Sequence, residues 1–351
     1  MPEIQVPQMN AVVGTSFESV SKNNLDFCRF WLAIQVIFSH SFALAEGDER
    51  HEPLNIMTSG QLNSGNFAVY CFFAISGFLI SHSWLRSRSA AKFFSKRVMR
   101  IYPGFVAAVL LGLLVVAPIA SDHFELKARD LRSLPLNLIT LRRTEPQGAF
   151  AHNPVPGAIN GSLWSIPYEF KCYLGVMLIG GIGLLRADRR LMMGLLIGIV
   201  TVSAAYLPGS VSAIERGAFA VIVGQASAWC DVLPYFVAGT TYYLYRDHIP
   251  CSPRILVSVF ISFVIAAVVP PAGRVVFPFA ITYLLFWFAF HSAFRFHEWS
   301  RYGDFSYGIY LYAFPIQQLI TMRFPGISLV VLFFDGNSIG YYRRSFQLAP
   351  D

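Results

Sequence analysis

Charged residues are scarce in this chain. Only 13% of its 351 residues are charged, which is about half the share found in an ordinary globular domain. Hydrophobic residues make up 55% and aromatic residues 15%, so the chain has too much apolar surface to stay disordered. The mean hydropathy of +0.51 disfavours a water-soluble domain and is typical of a chain that is surrounded mostly by lipid.

The chain also lacks the short motifs of several enzyme classes. It has no Walker loop, no G-x-G-x-x-G sequence, no internal repeat and no metal-ligand cluster, so nucleotide hydrolysis and metal chemistry have no support. Its five cysteines form no C-x-x-C pair, and we interpret them as buried, inert thiols. The first 24 residues lack the charged and apolar regions of a cleavable signal. We therefore expect residues 1–24 to be a cytoplasmic tail and the first apolar segment to be an anchor.

Nine apolar segments are long enough to cross a bilayer as helices. The segment 213–229 is also apolar but contains Glu215 and Arg216, and we interpret it as re-entrant, interfacial or an extension of the next helix. The predicted fold is all-α, a polytopic transmembrane helical bundle of about nine to ten spans within a domain over residues 25–334. The nine segments are 25–45, 66–85, 101–120, 169–186, 191–207, 230–246, 254–270, 275–292 and 305–323.

The basic residues determine the predicted orientation of these spans. The chain has 27 Lys and Arg against 20 Asp and Glu, a formal net charge of +7. The basic residues concentrate in alternate connections, above all in residues 86–100, which predicts that this segment and the N-terminus are cytoplasmic. The connection 121–168 then lies outside, and its length indicates a functional role. We assign the positive charge to membrane topology and expect no nucleic-acid partner.

Two ionisable residues fall inside the first predicted span. Arg29 and His40 are eleven positions apart, which is close to three helical turns, so both face one side and stand about 16 Å apart along the axis. An ionisable residue inside a span is expensive and indicates function. The structural alternatives are snorkelling of Arg29 to the inner interface and an interhelical hydrogen bond for His40.

Two further spans carry candidate residues. Ser76 and Gly77 form a small pair in the middle of the second span, which favours close helix packing. Glu169 lies just inside the outer end of a later span, with Trp164 and Tyr168 at headgroup level. His40 and Glu169 are therefore predicted at similar depth, where a carboxylate could orient or tune the imidazole.

The basic segment 86–100 has two interpretations. It is either a positive-inside anchor that touches anionic lipid or a cytoplasmic phosphate site. In the second case its arginines would bind the phosphates of a donor such as acyl-CoA, because the guanidinium group forms paired hydrogen bonds to phosphate.

Five sequence elements, taken in order, resemble the acyltransferase-3 family of integral membrane acyltransferases. This family includes bacterial O-antigen, exopolysaccharide and Nod-factor O-acetyltransferases. The resemblance covers residues 24–323. Its elements are LDFCRFWLAIQVIFSHS, FFAISGFLI, KRVMRIYP, LWSIPYEFKCYL and SYGIYLYAFPI.

The resemblance implies roles for the candidate residues. The essential Arg and His of the family are Arg29 and His40, and its essential Glu is Glu169. The arginines of its R-x-x-R element are Arg97 and Arg100. We expect His40 to act as general base with Glu169 in support, and the three arginines to hold donor phosphates or the thioester carbonyl. The residues expected to line the site are Ser76, Gly77, Trp164, Ser165 and Tyr168.

The resemblance also implies an activity and a location. In such members an acyl group passes from cytoplasmic acyl-CoA through the membrane to a glycan hydroxyl on the other side. We expect a multi-pass O-acetyltransferase of the bacterial inner membrane that uses acetyl-CoA as donor substrate, without a bound cofactor or metal. Its expected partners are acyl-CoA, membrane lipid, and a surface polysaccharide or lipid-linked glycan. The alternatives are a secondary transporter, which would show two repeated halves, and a non-catalytic component of a polysaccharide assembly complex.

Two features depart from the family pattern. The segment YLYAFPI lacks a histidine that many members have in the corresponding Tyr-x-x-His-x-Pro element. The last apolar run, ISLVVLFF, is also far shorter than the roughly 20 residues of a span. We interpret residues 335–351 as a C-terminal tail after an incomplete final span, the product of divergence, truncation or a frame error.

Overall fold

The regular structure of the described residues is helical. The computed structural model describes residues 23–87, 89–121, 124–125, 127–186, 189–206, 223–250, 252–291, 296, 299 and 304–334, without the side chain of Arg129. No β-strand occurs among them, which confirms the predicted all-α class. The α-helices are α1 (Leu25–Glu46), α2 (Pro53–Met57), α3 (Ser64–Arg86), α4 (Ala90–Ala120), α5 (Ala128–Ile139), α6 (Ile166–Gly181), α7 (Arg189–Ala205), α8 (Ala226–Tyr245), α9 (Pro253–Val268), α10 (Gly273–Phe290), α11 (Ser306–Arg323) and α12 (Leu329–Phe334).

The apolar helices make this a membrane protein. Within the described residues, α1, α3, α4 and α10 are long and apolar enough to cross a bilayer, and α9 is a shorter apolar helix of 16 residues. The remaining predicted spans coincide with helices that are shorter or more polar, so the count of nine to ten spans is not confirmed. Residues 1–22 of the predicted tail 1–24, the whole predicted tail 335–351 and most of the segment 213–229 lie outside the described residues.

The outward face of α9 shows how the bundle meets lipid. Large apolar side chains that water would not tolerate in such density are exposed along its whole length. They are Val257, Phe260, Ile261, Val264, Ile265 and Val268.

Helix α3 lies at the centre of the bundle, where small residues bring it against α8. A Cβ atom on Gly77 would lie 2.0 Å from the carbonyl oxygen of Phe236, and one on Gly239 would lie 2.0 Å from that of Ala74. Only glycine allows backbones to approach this closely. The Thr240 hydroxyl strengthens the crossing, because it donates a hydrogen bond to the Gly77 carbonyl at 3.2 Å.

Hydrogen bonds from polar groups fix α1 against its neighbours. At its start, the Asn24 backbone N–H donates to the Ala289 carbonyl of α10 at 2.9 Å. Near its end, the Gln317 side chain of α11 donates to the Ser41 hydroxyl at 2.8 Å. Because a buried polar group without a partner is costly, these bonds hold α1 in one position relative to α10 and α11.

The long connection after α4 folds back onto α11. The Gln318 amide donates to the carbonyls of Val155 and Ala158 at 2.8 and 2.9 Å. The Asn160 amide donates to the Leu311 carbonyl at 2.7 Å. A short 3₁₀ helix over Gly161–Ser165 follows, and α6 then begins with Pro167 in its first turn, where proline is favoured. The connection thereby positions the first turn of α6 inside the bundle.

Candidate active site

A carboxylate inside the bundle is held by two hydroxyl groups. Glu169 lies in the first turn of α6, where the helix dipole favours negative charge. Its Oε1 atom accepts a hydrogen bond from the Ser76 hydroxyl of α3 at 2.5 Å and another from the Tyr173 hydroxyl. Because Ser76 lies near the middle of α3, Glu169 lies deeper in the bundle than the sequence predicts. The depth differs because the connection before α6 enters the bundle.

Two arginines share one carboxylate that sequence reasoning missed. Arg29 Nη1 and Arg100 Nη2 lie 3.3 and 3.0 Å from the same Asp304 oxygen, Oδ2. The other Asp304 oxygen accepts hydrogen bonds from the backbone N–H and hydroxyl of Ser306 at the start of α11. Burial raises the pKa of Asp304, but the charge of Arg29 and the hydrogen bonds from Ser306 and Arg100 outweigh burial, so this pKa lies below its usual value. Asp304 therefore stays ionised and fixes both guanidinium groups.

Glu169 and the two arginines line one narrow cavity of about 60 Å³. It is large enough for a few water molecules or the small end of a substrate. The Tyr310 hydroxyl is fixed in its wall by a 2.7 Å hydrogen bond with the Ser165 hydroxyl. The remaining lining includes Ser76, Phe72, Phe73, Tyr173, Ser306 and Tyr307. The cavity thus combines two cations, one carboxylate and several hydroxyl groups in a largely apolar wall.

Arg97 takes a different position from Arg100. Its guanidinium group stands over the rings of Phe93 and Tyr173, with its central carbon 5.6 and 6.0 Å from the ring centroids. Its Nε atom is buried and has no hydrogen-bond partner among the described residues. Arg97 therefore packs behind the cavity wall, against the tyrosine that binds Glu169.

His40 lies apart from this cavity. Its ring packs edge to face against Phe314 of α11, with the centroids 5.0 Å apart. Its Nδ1 atom is buried without a hydrogen bond to any described residue. Phe314 follows Tyr310 by one helical turn, and Tyr310 lines the cavity of Glu169. The structure therefore connects His40 to that cavity along one face of α11 and does not bring it into contact with Glu169.

Ser39, the neighbour of His40, contacts the loop between α1 and α3. The Ser39 hydroxyl donates to Glu49 at 3.4 Å, and Glu49 also accepts a hydrogen bond from Asn63. Burial raises the pKa of Glu49, the Ser39 hydrogen bond opposes this effect, and the charge of Glu52 adds to it. Glu49 therefore ties the loop between α1 and α3 to the helix that carries His40.

A protein-family model described as an acyltransferase domain matches residues 22–338. The chain belongs to the acyltransferase-3 family. It is 28% identical over 310 residues to a protein of Shigella phage Sf6 named O-acetyl transferase, with 85% of each chain covered. It is 44% identical over 98 residues to Nodulation protein 10 of Rhizobium leguminosarum bv. viciae, covering 27% of this chain and 26% of that protein. No solved structure is significantly similar.

The other predicted site residues of this acyltransferase divide between two cavities. Ser76 and Ser165 line the cavity of Glu169, whereas Gly77 faces α8. Trp164 and Tyr168 line a second cavity on the other side of the first turn of α6. The roles assigned to these residues from the sequence stay predictions.

The site of this acyltransferase contains two guanidinium groups and, in the part of the chain that the structure describes, no evident metal site. Among the described residues, no group of three or more His, Cys, Asp or Glu side chains could hold a metal ion. Arg29 and Arg100 have the geometry to bind phosphate oxygens in place of Asp304. A short sequence signal for Asp304 does exist, since an Asp side chain commonly accepts a hydrogen bond from the backbone N–H two residues further along, in an Asx turn. Its arginine partners were not predictable from that signal.

Proposed function

We propose that the protein transfers an acetyl group from cytoplasmic acetyl-CoA to a hydroxyl of a glycan on the outer side of the bacterial inner membrane. The acceptor is a surface polysaccharide or its lipid-linked precursor. The observation that carries the proposal is the single cavity that Glu169, Arg29 and Arg100 line together. The O-acetyl transferase of Shigella phage Sf6, similar along most of its length, supports acetyl as the group transferred.

The donor end of the proposal rests on the arginines. Arg29 and Arg100 lie at the mouth of the cavity that the charge distribution assigns to the cytoplasmic side. Their positive charges suit the phosphates or thioester carbonyl of acetyl-CoA. Because the cavity is narrow, only the acetyl end of the donor and the slender arm that carries its sulfur enter it. Acetyl-CoA is a substrate here, so the reaction needs no resident cofactor.

The path of the acetyl group follows α11. Tyr310 and Phe314 are four residues apart on one face of that helix, and such residues are neighbours. Tyr310 lines the cavity of Glu169, and Phe314 touches His40. The acetyl end of the donor, still joined to the sulfur of CoA, passes these two rings and reaches from the arginine side to the histidine side without leaving the bundle.

His40 supplies the acid–base chemistry of the proposal. A neutral imidazole with Nδ1 unprotonated accepts the proton of the acceptor hydroxyl as its oxygen attacks the acetyl carbonyl. The carbon–sulfur bond then breaks, the acetyl ester remains on the glycan, and the thiolate of CoA takes up the proton. The buried Nδ1 atom, which has no hydrogen bond to any described residue, supports this role because it leaves an acceptor available.

A third cavity, separate from those of Glu169 and Trp164, supports a glycan acceptor. It has a volume of about 510 Å³ and lies where α3 and α8 begin, on the side the proposal assigns to the outside. Tyr70 and Tyr235 stack in its wall with their centroids 4.1 Å apart, beside Asn66, Asp231 and Arg274. Aromatic walls with a few polar groups are typical of sites for small polar ligands such as sugars.

Surface-glycan acetylation in a deletion strain tests the proposal. Strains that carry wild-type protein, His40→Ala or Glu169→Gln are compared by mass spectrometry of their surface glycans. We expect His40→Ala to lose a hundredfold or more of the acetylation, since general acid–base groups contribute about 10²–10⁴ in rate. Glu169→Gln should also lower acetylation, because it removes the carboxylate charge from the cavity that Arg29 and Arg100 line. His51→Ala is the matched control, because His51 lies on the connection that follows the helix of His40 and its side chain is 76% exposed.

The outcomes separate the proposal from its rivals. Normal acetylation in His40→Ala cells, at equal protein level, would overturn the assignment of the base. Loss of the whole protein without any change in surface acetylation would favour a transporter or a non-catalytic component of a glycan assembly complex.

A further inference from the structure

The cavity that contains Trp164 and Tyr168 carries an excess of positive charge. It has a volume of about 390 Å³ and lies between the chain after α5, the first turns of α6 and the start of α8. Arg142, Arg143 and Lys171 line it, against one carboxylate, Glu145.

Only one of these three cations is neutralised within the cavity. Arg143 pairs with Glu145 at 3.3 Å. Lys171 donates a hydrogen bond to the Val223 carbonyl at 3.2 Å and stands over the Tyr168 ring. Among the described residues, the Arg142 guanidinium has neither an ion pair nor a side-chain hydrogen bond. Two like charges therefore face a partly buried cavity, an arrangement that an arriving anion would stabilise.

The aromatic wall of the cavity is rigid. The Tyr168 hydroxyl accepts a hydrogen bond from the Gln225 backbone N–H at 2.9 Å. Gly224, with a φ of +97°, lies so close that a Cβ atom there would be 2.7 Å from the Tyr168 ring. Trp164 packs beside that ring with the centroids 6.2 Å apart. Fixed aromatic rings beside cations are typical of the headgroup level of a membrane protein.

An apolar groove continues from this cavity between α7 and α8. It has a volume of about 560 Å³ and shares Gly224 with the charged cavity. Gly194 and Gly198 form one wall, and a Cβ atom on either would meet nothing within 4 Å. Trp229 forms the facing wall. A charged head site joined to an open apolar groove matches the two parts of an anionic lipid.

We infer that the charged cavity binds the phosphate group of an outer-leaflet lipid whose hydrocarbon chain lies in the groove between α7 and α8. The phosphate belongs either to the polyisoprenyl carrier of a lipid-linked glycan or to a phospholipid headgroup. Charge complementarity selects a phosphate lipid over a neutral one. The assignment to the outer leaflet rests on the orientation in the proposed function, whereas the binding itself does not depend on transferase activity.

Native mass spectrometry of the purified chain in detergent tests this inference. The probes are a long polyisoprenyl phosphate, phosphatidylglycerol and the corresponding polyisoprenol, which lacks phosphate. We expect the wild-type chain to bind the phosphate lipids at least tenfold more tightly than the polyisoprenol. A preference for polyisoprenyl phosphate over phosphatidylglycerol assigns the carrier lipid, and equal binding assigns the phospholipid headgroup.

Three variants make the test specific. The Arg142→Gln/Lys171→Gln variant should bind both phosphate lipids at least tenfold more weakly. Gly198→Leu should weaken binding of all three probes, because its side chain enters the groove from a position where a Cβ atom meets nothing within 4 Å. The control Lys127→Gln/Arg132→Gln removes two cations from the same connection but outside the cavity, and it should bind like wild type.

Several results would overturn the inference. They are failure of the wild-type chain to bind either phosphate lipid, equal binding of the polyisoprenol, and equal affinities of the Arg142→Gln/Lys171→Gln variant and the control. Because the readout is binding in detergent, it remains interpretable when glycan acetylation is absent. Failure of the proposed function and failure of the lipid site are therefore distinguishable.

Discussion

Replacing Gly77 by alanine should both destabilise the protein and slow its reaction. A Cβ atom at this position would lie 2.0 Å from the Phe236 carbonyl oxygen, whereas real Cβ contacts essentially never fall below 3.0 Å. Helices α3 and α8 would have to separate locally by about 1 Å, and overpacking of this kind costs about 1–3 kcal/mol. The Thr240 hydroxyl, which bonds to the Gly77 carbonyl, would move with α8 and add to the loss.

The same displacement reaches the candidate active site. Ser76 precedes Gly77 and donates a hydrogen bond to Glu169, so a shift of α3 moves a group that holds the carboxylate. A misplacement of about 1 Å in a catalytic geometry can cost about a hundredfold in rate. We therefore expect Gly77→Ala to lower transfer by about ten- to a hundredfold.

Thermal unfolding of the purified protein in detergent measures the first effect. At about 1.4 °C per kcal/mol for a chain of 351 residues, the Tm of Gly77→Ala should fall by about 1–4 °C. Gly175→Ala in α6 is the control, because nothing lies within 4 Å of a Cβ atom there and alanine is the better helix former. Its Tm should equal or exceed that of wild type. If Gly77→Ala and Gly175→Ala had the same Tm, the close contact between α3 and α8 would be refuted.

A double variant checks that one contact is responsible. Gly239→Ala should be as destabilising as Gly77→Ala, since its Cβ atom would lie 2.0 Å from the Ala74 carbonyl oxygen. One separation of α3 from α8 relieves both clashes, so the two changes together should cost clearly less than their sum. Additive costs would mean that the helices do not move as units.

Two further predictions concern the cytoplasmic mouth and the orientation. Asp304→Asn should raise the apparent KM for acetyl-CoA, since Arg29 and Arg100 lose the charge that fixes them. Because the pKa of Asp304 is lowered in the folded protein, the stabilising effect of its carboxylate should be complete above about pH 4 and fade below it. An unchanged KM for acetyl-CoA, together with a Tm difference from wild type that does not depend on pH, would contradict the role of Asp304. In a cysteine-free background, Gln147→Cys should react with an impermeant maleimide in intact cells and Lys92→Cys only after permeabilisation; the reverse result would invert the proposed orientation.

The helices were predictable because apolar runs determine them. Each of the nine predicted segments overlaps a helix of the structure, for example 254–270 with α9 and 275–292 with α10. The number of helices that cross the membrane was not predictable from the apolar runs. Crossing depends on the depth and tilt of each helix, and these follow from tertiary packing and not from the length of an apolar run.

The partners of the candidate residues were not predictable because they depend on contacts between distant parts of the chain. Arg29 and Asp304 are 275 positions apart, and Ser76 and Glu169 are 93 apart. Similar predicted depth alone favours a pairing of Glu169 with His40, but depth does not account for the direction in which each side chain leaves its helix. The structure instead surrounds Glu169 with hydroxyl groups from α3 and α6.

The separation of His40 from Glu169 bears on how the reaction is divided across the membrane. A base beside the arginines would expose the thioester to water from the cytoplasmic side and favour hydrolysis over transfer. His40 packs against Phe314, whereas Asp304 holds the arginines, so in the proposed reaction donor binding and proton transfer would occur at different ends of the bundle. The aromatic face of α11 lies between them. In the proposed reaction the thioester would meet the base only after its acetyl end has passed these rings, which would favour the glycan hydroxyl over water as the acceptor.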